Sequence, residues 1–376
     1  MTSRRTICFA LPSLAGGGAE RAAVQILNGL DTDRWDRWLF LFRREGPYLA
    51  DVASSIQIAG AGNESRFGRW NALRRFTRTV RPDVVVSFLS YFTVLSAVRV
   101  AGVGARVVFN QQTPMSQFLS DGYYRWKRPW NRWLFSAATR VGHGAADLIV
   151  TTSRGVADDL VASFGVRSDH VRVVHNPVDL PAIAAAAAEP LDPADAAIWT
   201  HPAIVAAGRL AEAKNYPLLI DALAIVRQRL PARLFILGQG EQEATLRDVV
   251  AQRGLADAVH FCGFQANPWK YFARADVFAL TSRYEGFGNV LVEAMACAVP
   301  VVATSSPGTR EIVSVGDDGL LVERHEPAAV AAALERILAD AALRQRMSDT
   351  ARRHAARFAA PSIAAAYERV FAEALR

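Results

Sequence analysis

The sequence has few cysteines and none of the usual metal-binding patterns. Its three cysteines, Cys8, Cys262 and Cys297, are far apart along the chain. No CxxC pair occurs, and no histidine stands at a spacing typical of a zinc site. This pattern argues against a disulfide framework and predicts a protein of a reducing compartment without structural metal.

Long hydrophobic runs are also missing. The longest uncharged apolar segment, residues 84–98, contains several Ser and Thr residues. It falls short of the roughly 18 residues that a membrane-spanning helix needs. At the amino end, two basic residues precede an apolar run of only about six residues before Pro12, shorter than a signal-peptide core. We therefore expect a first strand here and no transmembrane segment.

Charge is unevenly distributed. Residues 1–175 carry 23 Lys and Arg against 13 Asp and Glu, whereas the remainder carries 20 against 23. The net charge of +7 therefore belongs to the first half. Such asymmetry suggests that the first half meets an acidic partner, such as a membrane surface, a lipid phosphate or nucleic acid.

The chain of 376 residues is long enough for two domains. Apolar runs alternate with amphipathic segments in both halves, which predicts parallel sheets covered by helices. An alanine-rich piece after Pro177 is the best candidate for the connection. We predict a first domain over residues 1–177, a second over 190–360, and a final helix, 361–376, that crosses back onto the first. Two such halves imply a cleft between them.

The loop Gly16-Gly17-Gly18 follows the first predicted strand, where doubly wound folds bind phosphate. It is not the dinucleotide fingerprint, because Arg21 stands where the third glycine would fall. An NAD-dependent dehydrogenase is therefore disfavoured. A tight turn without ligand remains the alternative.

Residues 279–311 read as strand, loop, helix and strand, and we expect the rest of the chain to be organised around them. Gly286 and Gly288 would let backbone N–H groups approach an anion at the helix start. Glu285 and Glu293 would then lie on either side of a diphosphate. One alternative is that Glu285 is a solvated loop residue and Glu293 an exposed helix residue. Another is that the two form an acid and base pair of the glycosidase kind.

Two cations precede another predicted helix. Arg209 and Lys214 follow the strand predicted over residues 203–207 and stand just before a helix that has Pro217 in its first turn. Positive charge there is unfavourable, because a helix start is itself partly positive. A bound anion would remove this conflict, and solvated surface charge is the alternative.

Residues 123–135, YYRWKRPWNRWLF, mix aromatic and basic side chains. This composition suits a membrane interface, where rings lie at headgroup level and cations meet lipid phosphates. It would also suit single-stranded RNA, although no RNA-binding motif accompanies it. Trp126, Trp130 and Trp133 recur at helical spacing, so a packed stripe is an equal alternative.

Taken together, the motifs resemble those of the retaining GT-B glycosyltransferases of family GT4. The residues that carry the resemblance are GGGAER at 16–21, VHNPVD at 174–179, GRL with KN at 208–215, ILGQG at 236–240 and SRYEGFGNVLVEAMACAVPVVAT at 282–304. The resemblance implies an α/β fold of the GT-B type, with two Rossmann-like domains facing a central cleft. A nucleotide-sugar donor, with a UDP-sugar favoured, would bind the second domain and a glycan or lipid-linked acceptor the first.

The same resemblance implies the site residues. Arg209 and Lys214 would neutralise the donor diphosphate, Glu285 would hold the donor sugar, and Glu293 the ribose hydroxyls. Further donor-binding positions would be Gly17, Gly18, Gly238, Gly240, Phe264, Phe287, Gly288 and Asn289. The implied reaction is metal-independent transfer with retention and without a cofactor, since the nucleotide sugar is a substrate. We expect a cytoplasmic enzyme of cell-surface glycan synthesis, peripheral at the inner face of the membrane through residues 123–135, with no nucleic-acid partner.

The chain departs from the family in two places. The loop at residues 110–114 lacks the histidine that many relatives place near the donor sugar, and His143 is a weak substitute. Ala298 stands where glycine is common. The one DxD match, Asp31-Thr32-Asp33, is expected to be a solvated loop. Alternative functions are a soluble glycosyltransferase with a small acceptor, a GT-B sugar-nucleotide epimerase and a non-catalytic binding protein.

Overall fold

The computed structural model describes residues 4–62, 65–120 and 129–376, and it divides into two compact units. The first unit comprises Met1–Pro177 with Ala360–Arg376, and the second comprises Val178–Ala359. Each unit is built on its own parallel sheet, with helices in the connections between strands. This is the Rossmann-like α/β architecture that the alternation of strands and helices predicted.

The sheet of the first unit has seven strands in the order β3-β2-β1-β4-β5-β6-β7. They are β1 (Arg5–Leu11), β2 (Trp35–Leu41), β3 (Gln57–Gly60), β4 (Val84–Phe88), β5 (Arg106–Gln111), β6 (Leu148–Thr151) and β7 (Val171–Val173). The helices are α1 (Gly18–Gly29), α2 (Arg66–Val80), α3 (Tyr91–Ala101), α4 (Met115–Ser120), α5 (Pro129–Gly144) and α6 (Arg154–Phe164). The strand order reverses between β1 and β4, which in doubly wound folds is where ligands bind.

Apolar sequence explains most of this sheet. The strand β4 is buried along its whole length, as expected for a central parallel strand covered on both faces. Helix α1 turns Val24, Ile26 and Leu27 inward, as its pattern predicted. Strand β3 was missed, because Gln57–Gly60 is short and only half-buried and carries no apolar run.

The sheet of the second unit has six strands in the order β10-β9-β8-β11-β12-β13. They are β8 (Ala203–Ala207), β9 (Arg233–Leu237), β10 (Val259–Gly263), β11 (Val277–Leu280), β12 (Val301–Thr304) and β13 (Gly319–Val322). The helices are α7 (Leu180–Ala187), α8 (Pro193–Ile198), α9 (Tyr216–Val226), α10 (Glu243–Gln252), α11 (Trp269–Phe272), α12 (Asn289–Ala296), α13 (Pro307–Ile312), α14 (Pro327–Ala339) and α15 (Ala341–Ala355).

The second unit begins at Val178, before the predicted start at residue 190. The backbone N–H of Val178 donates to the carbonyl of Phe358 at 2.8 Å. Asp179 caps helix α7, and Ile183 on that helix is 2% exposed in the core of this unit. The alanine-rich piece predicted as a connection is therefore a packed helix, since alanine favours helix strongly.

The last helix, α16 (Ala360–Ala374), belongs to the first unit. Tyr367 and Phe371 are fully buried there. Asn110 at the end of β5 donates its side-chain N–H to the Tyr367 hydroxyl at 2.7 Å, and Phe371 meets Phe9 of β1 edge to face. Helix α16 thus completes the core of the first unit.

The aromatic and basic segment, residues 123–135, falls largely outside the described residues. Trp126 lies outside them, and so does the side chain of Trp130. Trp133 is 72% exposed and Leu134 is 53% exposed. At Trp133 the packed-stripe interpretation is therefore wrong. In the part of the chain that the structure describes, no helix has the length and apolarity needed to span a membrane.

Candidate functional site

The predicted cations lie at the carboxyl edge of the second sheet. Strand β8 sits between β9 and β11, so the loops after these three strands meet. The loop after β8 carries Arg209 and Lys214 and ends at Asn215, which has φ 49° and begins helix α9. Arg209 is exposed and Lys214 is half-buried. Lys214 therefore stands directly before the N-cap of α9, as the sequence predicted, whereas Arg209 lies at the other end of the loop, just after β8.

Gly238 and Gly240 hold the Arg209 loop in place. A Cβ on Gly238 would lie 2.0 Å from the Gly208 carbonyl oxygen, and one on Gly240 would lie 2.4 Å from the Leu210 carbonyl oxygen. Leu210 also donates its backbone N–H to the carbonyl of Gln239 at 2.9 Å. Any side chain at either glycine would separate the two loops. Their predicted contact with a donor stays a prediction, whereas their contact with this loop is a feature of the structure.

Lys214 and Glu285 form an ion pair across the loops after β8 and β11. The Lys214 Nζ lies 2.5 Å from the Glu285 Oε1, and the Ser282 hydroxyl donates to the same oxygen at 2.7 Å. The two charged side chains are 26% and 13% exposed. The interpretation of Glu285 as a solvated loop residue is therefore wrong. Ser282 was missed, because nothing in a strand-to-loop sequence shows which acceptor its hydroxyl meets.

Backbone hydrogen bonds fix the two loops on which this ion pair stands. Thr281 donates its hydroxyl to the carbonyl of Asn215 at 3.2 Å, and the N–H of Arg283 donates to the carbonyl of Ala213 at 2.8 Å. Tyr216 is buried and donates its hydroxyl to the Gly208 carbonyl at 3.1 Å. Burial, and next the Glu285 charge, raise the pKa of Tyr216, so this donor remains protonated.

Helix α12 begins directly beside Glu285. Gly288 is its N-cap with φ 104°, and the structure shows no side-chain cap on it. Phe287 is 3% exposed and packs on Phe358 with ring centroids 5.3 Å apart, so only its backbone can meet a ligand. A Cβ on Gly308 would lie 2.7 Å from the Glu285 carbonyl oxygen, which makes glycine necessary at that close approach. Asn289 is the first residue of the helix.

Glu293 lies one turn into α12 and is 5% exposed. Its Oε2 accepts a hydrogen bond from the Trp269 indole N–H at 3.1 Å. The interpretation of Glu293 as an exposed helix residue is therefore wrong. Trp269 was missed, because its partnership with Glu293 depends on helices α11 and α12 being neighbours. Phe264 follows β10 and is 53% exposed.

The backbone conformation at Ala298 explains why glycine is common at this position. Its φ is 59°, in the left-handed region that glycine occupies without steric cost. It follows Cys297, the C-cap of α12, and donates its backbone N–H to the carbonyl of Met295 at 2.9 Å. The departure from the family pattern therefore affects the turn after α12, at the opposite end of the helix from Gly288.

In the first unit, the glycine loop lies at the carboxyl end of β1, as predicted. Gly16 has φ 110°, Gly17 is the N-cap of α1, and Gly18 is its first residue. The Tyr48 hydroxyl donates to the Gly16 carbonyl at 3.3 Å. The loop thus holds a tight turn at a helix start.

His143 is part of the core of the first unit and is 0% exposed. Its Nδ1 lies 3.0 Å from the carbonyl of Thr139, and its Nε2 lies 3.3 Å from the Gln111 Oε1. Burial lowers the pKa of His143 to about 4, so the ring is neutral at pH 7. The ring is thus enclosed by the core of the first unit, and its part as a weak substitute for the family histidine stays a prediction.

Asp31 and Asp33 are exposed, and the Asp33 N–H donates to the Asp31 carboxylate at 2.8 Å. This agrees with the solvated loop expected for the DxD match. Among the described residues, no group of three or more His, Cys, Asp or Glu side chains is placed to hold a metal ion.

Two family models match the chain. Residues 16–181 match Glycosyltransferase Family 4, and residues 194–354 match Glycosyl transferases group 1. The chain is 32% identical to N-acetylgalactosamine-N,N'-diacetylbacillosaminyl-diphospho-undecaprenol 4-alpha-N-acetylgalactosaminyltransferase of Campylobacter jejuni, over 92% of this chain and 93% of that one. It is 33% identical to the D-inositol 3-phosphate glycosyltransferase of Xylanimonas cellulosilytica, over 62% of this chain and 58% of that one.

Solved structures agree on the fold. The Anabaena protein HepE in complex with UDP-glucose superposes with a TM-score of 0.80 at 22% identity, covering 98% of this chain and 99% of that one. This similarity supports the fold, which is built on two sheets. The near full-length relative of Campylobacter jejuni and the two family models show that this chain is an enzyme belonging to family 4 of the GT-B glycosyltransferases.

Proposed function

We propose that this glycosyltransferase moves a sugar from a UDP-sugar to a lipid-linked or polysaccharide acceptor, with retention at the anomeric carbon, in cell-surface glycan synthesis. The second unit takes the donor and the first unit the acceptor. The donor base is supported by the UDP-glucose bound in the HepE structure. The acceptor class is supported by the lipid-linked substrate in the name of the Campylobacter relative. Retention follows the family as a whole.

The observation that carries the proposal is the ion pair between Lys214 and Glu285 beside the start of α12. Its cation faces the place where a donor diphosphate would bring negative charge. Its carboxylate is a hydrogen-bond acceptor suited to sugar hydroxyls. A diphosphate would compete with Glu285 for Lys214, so that donor binding releases the carboxylate toward the sugar.

Departure of the nucleoside diphosphate is then assisted by charge that is already in place. Arg209, Lys214 and the N–H groups at the start of α12 stabilise the developing negative charge, without a metal ion in this proposal. Such groups act strongly because the loops holding them are fixed before the reaction, as the Gly238, Gly240 and Gly308 contacts require. Glu293, which is oriented by the hydrogen bond from Trp269, accepts hydrogen bonds from the ribose hydroxyls in this proposal.

A panel of labelled sugar nucleotides tests the proposal. We expect at least one UDP-sugar to bind and its sugar to be transferred to an acceptor in a lipid extract. The anomeric configuration of the product, read by NMR, should match that of the donor. The readouts are donor hydrolysis and label in the lipid fraction. Transfer only to water-soluble phosphorylated acceptors would favour the small-acceptor alternative, which the inositol-phosphate relative illustrates. Epimerised donor, or binding without turnover, would contradict the proposal.

We also propose peripheral contact with the inner face of the cell membrane through residues 123–135. The exposed Trp133 and Leu134 support it, since such side chains favour the headgroup region. In a vesicle sedimentation assay, we expect the enzyme to bind vesicles that contain about 30% anionic lipid, which imitate an acidic membrane leaflet. Trp133→Ser should reduce the bound fraction about threefold or more. Equal sedimentation with purely zwitterionic vesicles, or an unaffected variant, would contradict this contact.

A further inference from the structure

The first unit contains a cavity of about 690 Å³ at the carboxyl edge of its sheet. Its walls come from the segments that follow β1, β2, β4 and β5, which include Pro12, Arg43, Leu89 and Gln112. This is the edge of the sheet where the strand order reverses between β1 and β4. In doubly wound folds this position binds ligands. The volume is ordinary for a site that takes a small molecule or one end of a larger one.

Three arginines make this cavity electropositive. Arg43 lines it from the loop after β2, and Arg66 and Arg69 line it from the first turn of α2. Arg43 also lies 3.2 Å from Glu45, in a pair that is more than half exposed and therefore weak. None of the described residues that line the cavity is acidic. The charge of the lining is thus suited to an anion.

The position of the arginines adds a second argument for an anion. Arg66 and Arg69 stand in the first turn of α2, where positive charge is unfavourable, and the first turns of α2 and α3 contain no acidic residue. The first residues of α3, Tyr91 and Phe92, line the same cavity. A phosphate bound in the cavity would offset the unfavourable interaction between these cations and the helix start.

The other walls combine polar side chains, such as Gln112 and Thr113, with apolar side chains that are partly open to solvent. Leu89 is 46% exposed and Phe92 is 44% exposed, and both line the cavity. Leu89 lies in the turn directly after β4 and has φ 64°, which is an uncommon conformation for leucine. An anion alone would leave these surfaces unused, whereas a hydrocarbon chain would cover them.

We propose that this cavity binds the acceptor through a phosphate or diphosphate group carried on a hydrocarbon chain, with Arg43, Arg66 and Arg69 on the phosphates and Leu89 and Phe92 on the chain. The inference rests on the proposed function, since it names what the first unit recognises. These side chains would set the acceptor class, and they are separate from the donor residues of the second unit.

Direct binding to the full-length chain tests this inference without any transfer reaction. Farnesyl diphosphate, inorganic pyrophosphate and farnesol are titrated by calorimetry below the micellar concentration of the lipid. We expect farnesyl diphosphate to bind about tenfold or more tightly than either of the others, because only it has both parts. Arg66→Gln and Arg69→Gln should each weaken its binding about tenfold. Arg346→Gln, the same change at an exposed position of α15 in the second unit, should leave it unchanged.

Each other outcome overturns a defined part of the inference. If pyrophosphate bound as tightly as farnesyl diphosphate, the cavity would not recognise a hydrocarbon chain. If both α2 variants bound farnesyl diphosphate like the wild type, Arg66 and Arg69 would not bind its phosphates. Displacement of farnesyl diphosphate by UDP would assign the cavity to the donor instead. Thermal unfolding of each variant checks that it is folded, and Arg69→Lys, which keeps the charge, should retain more binding than Arg69→Gln. Failure of the sugar-nucleotide panel would leave these titrations unaffected, so the two proposals fail separately.

Discussion

Replacing Lys214 by alanine is expected to weaken the binding of UDP by about 10- to 100-fold, the range for loss of one hydrogen bond to a charged group. The substitution removes the ammonium group that would meet the diphosphate. It also leaves the Glu285 carboxylate, which is 13% exposed, without the ion pair it makes in the structure. That carboxylate would then repel the diphosphate, so both effects weaken binding.

Calorimetric titration of UDP into the wild type, Lys214→Ala and Arg346→Ala measures this effect. Arg346 lies exposed on α15, so its variant controls for the loss of one positive charge from the second unit. Unchanged UDP affinity in Lys214→Ala would move the phosphate site elsewhere. The double variant Lys214→Ala/Glu285→Gln should recover part of the lost affinity, because the repelling carboxylate is gone. Strict additivity of the two changes would contradict the competition between Glu285 and a diphosphate for Lys214.

Replacing Glu285 by alanine is expected to lower the rate of transfer about 100-fold or more while leaving UDP affinity within about threefold of the wild type. The lost carboxylate is the group assigned to the donor sugar, so the reacting sugar loses its orientation. UDP itself carries no sugar, and Lys214 remains to meet its phosphates. Any change in UDP affinity should be toward tighter binding, since the competing carboxylate has been removed.

The measurement combines single-turnover transfer with UDP titration on the same preparations. Glu243→Ala serves as the matched control, because Glu243 also forms an ion pair, with Arg247, but on the surface of α10. Glu285→Gln should retain more activity than Glu285→Ala, since an amide still accepts hydrogen bonds from hydroxyls. Parallel loss of UDP binding and transfer in Glu285→Ala would contradict the assignment to the sugar.

The local pattern of the second unit was predictable from sequence. The run from β11 through α12 to β12 reads as strand, loop, helix and strand, because a buried parallel strand is continuously apolar and α12 is amphipathic. Gly288 at the helix start and the cations before α9 were predictable for the same reason. These are properties of neighbouring residues, and local rules describe them well.

The partners of the site residues were not predictable. Lys214 and Glu285 meet because β8 and β11 are adjacent in the sheet, although two strands and their helices separate them in the chain. Glu293 and Trp269 meet because α11 and α12 are neighbours. The low exposure of Glu285 therefore depends on sheet order, and the burial of Glu293 depends on the packing of these helices. The two interpretations of Glu285 and Glu293 as solvated residues failed for this reason.

Helix α16 also has a consequence for the order in which the molecule is completed during synthesis. Tyr367 and Phe371 are buried in the core of the first unit, but they are made after the whole of the second unit. At roughly 5–20 residues per second, the ribosome needs about 10–40 s to make the intervening segment. During that time the nascent first unit lacks the aromatic rings that cover Phe9 and Trp35. The unit that begins first is therefore the one whose core is completed last.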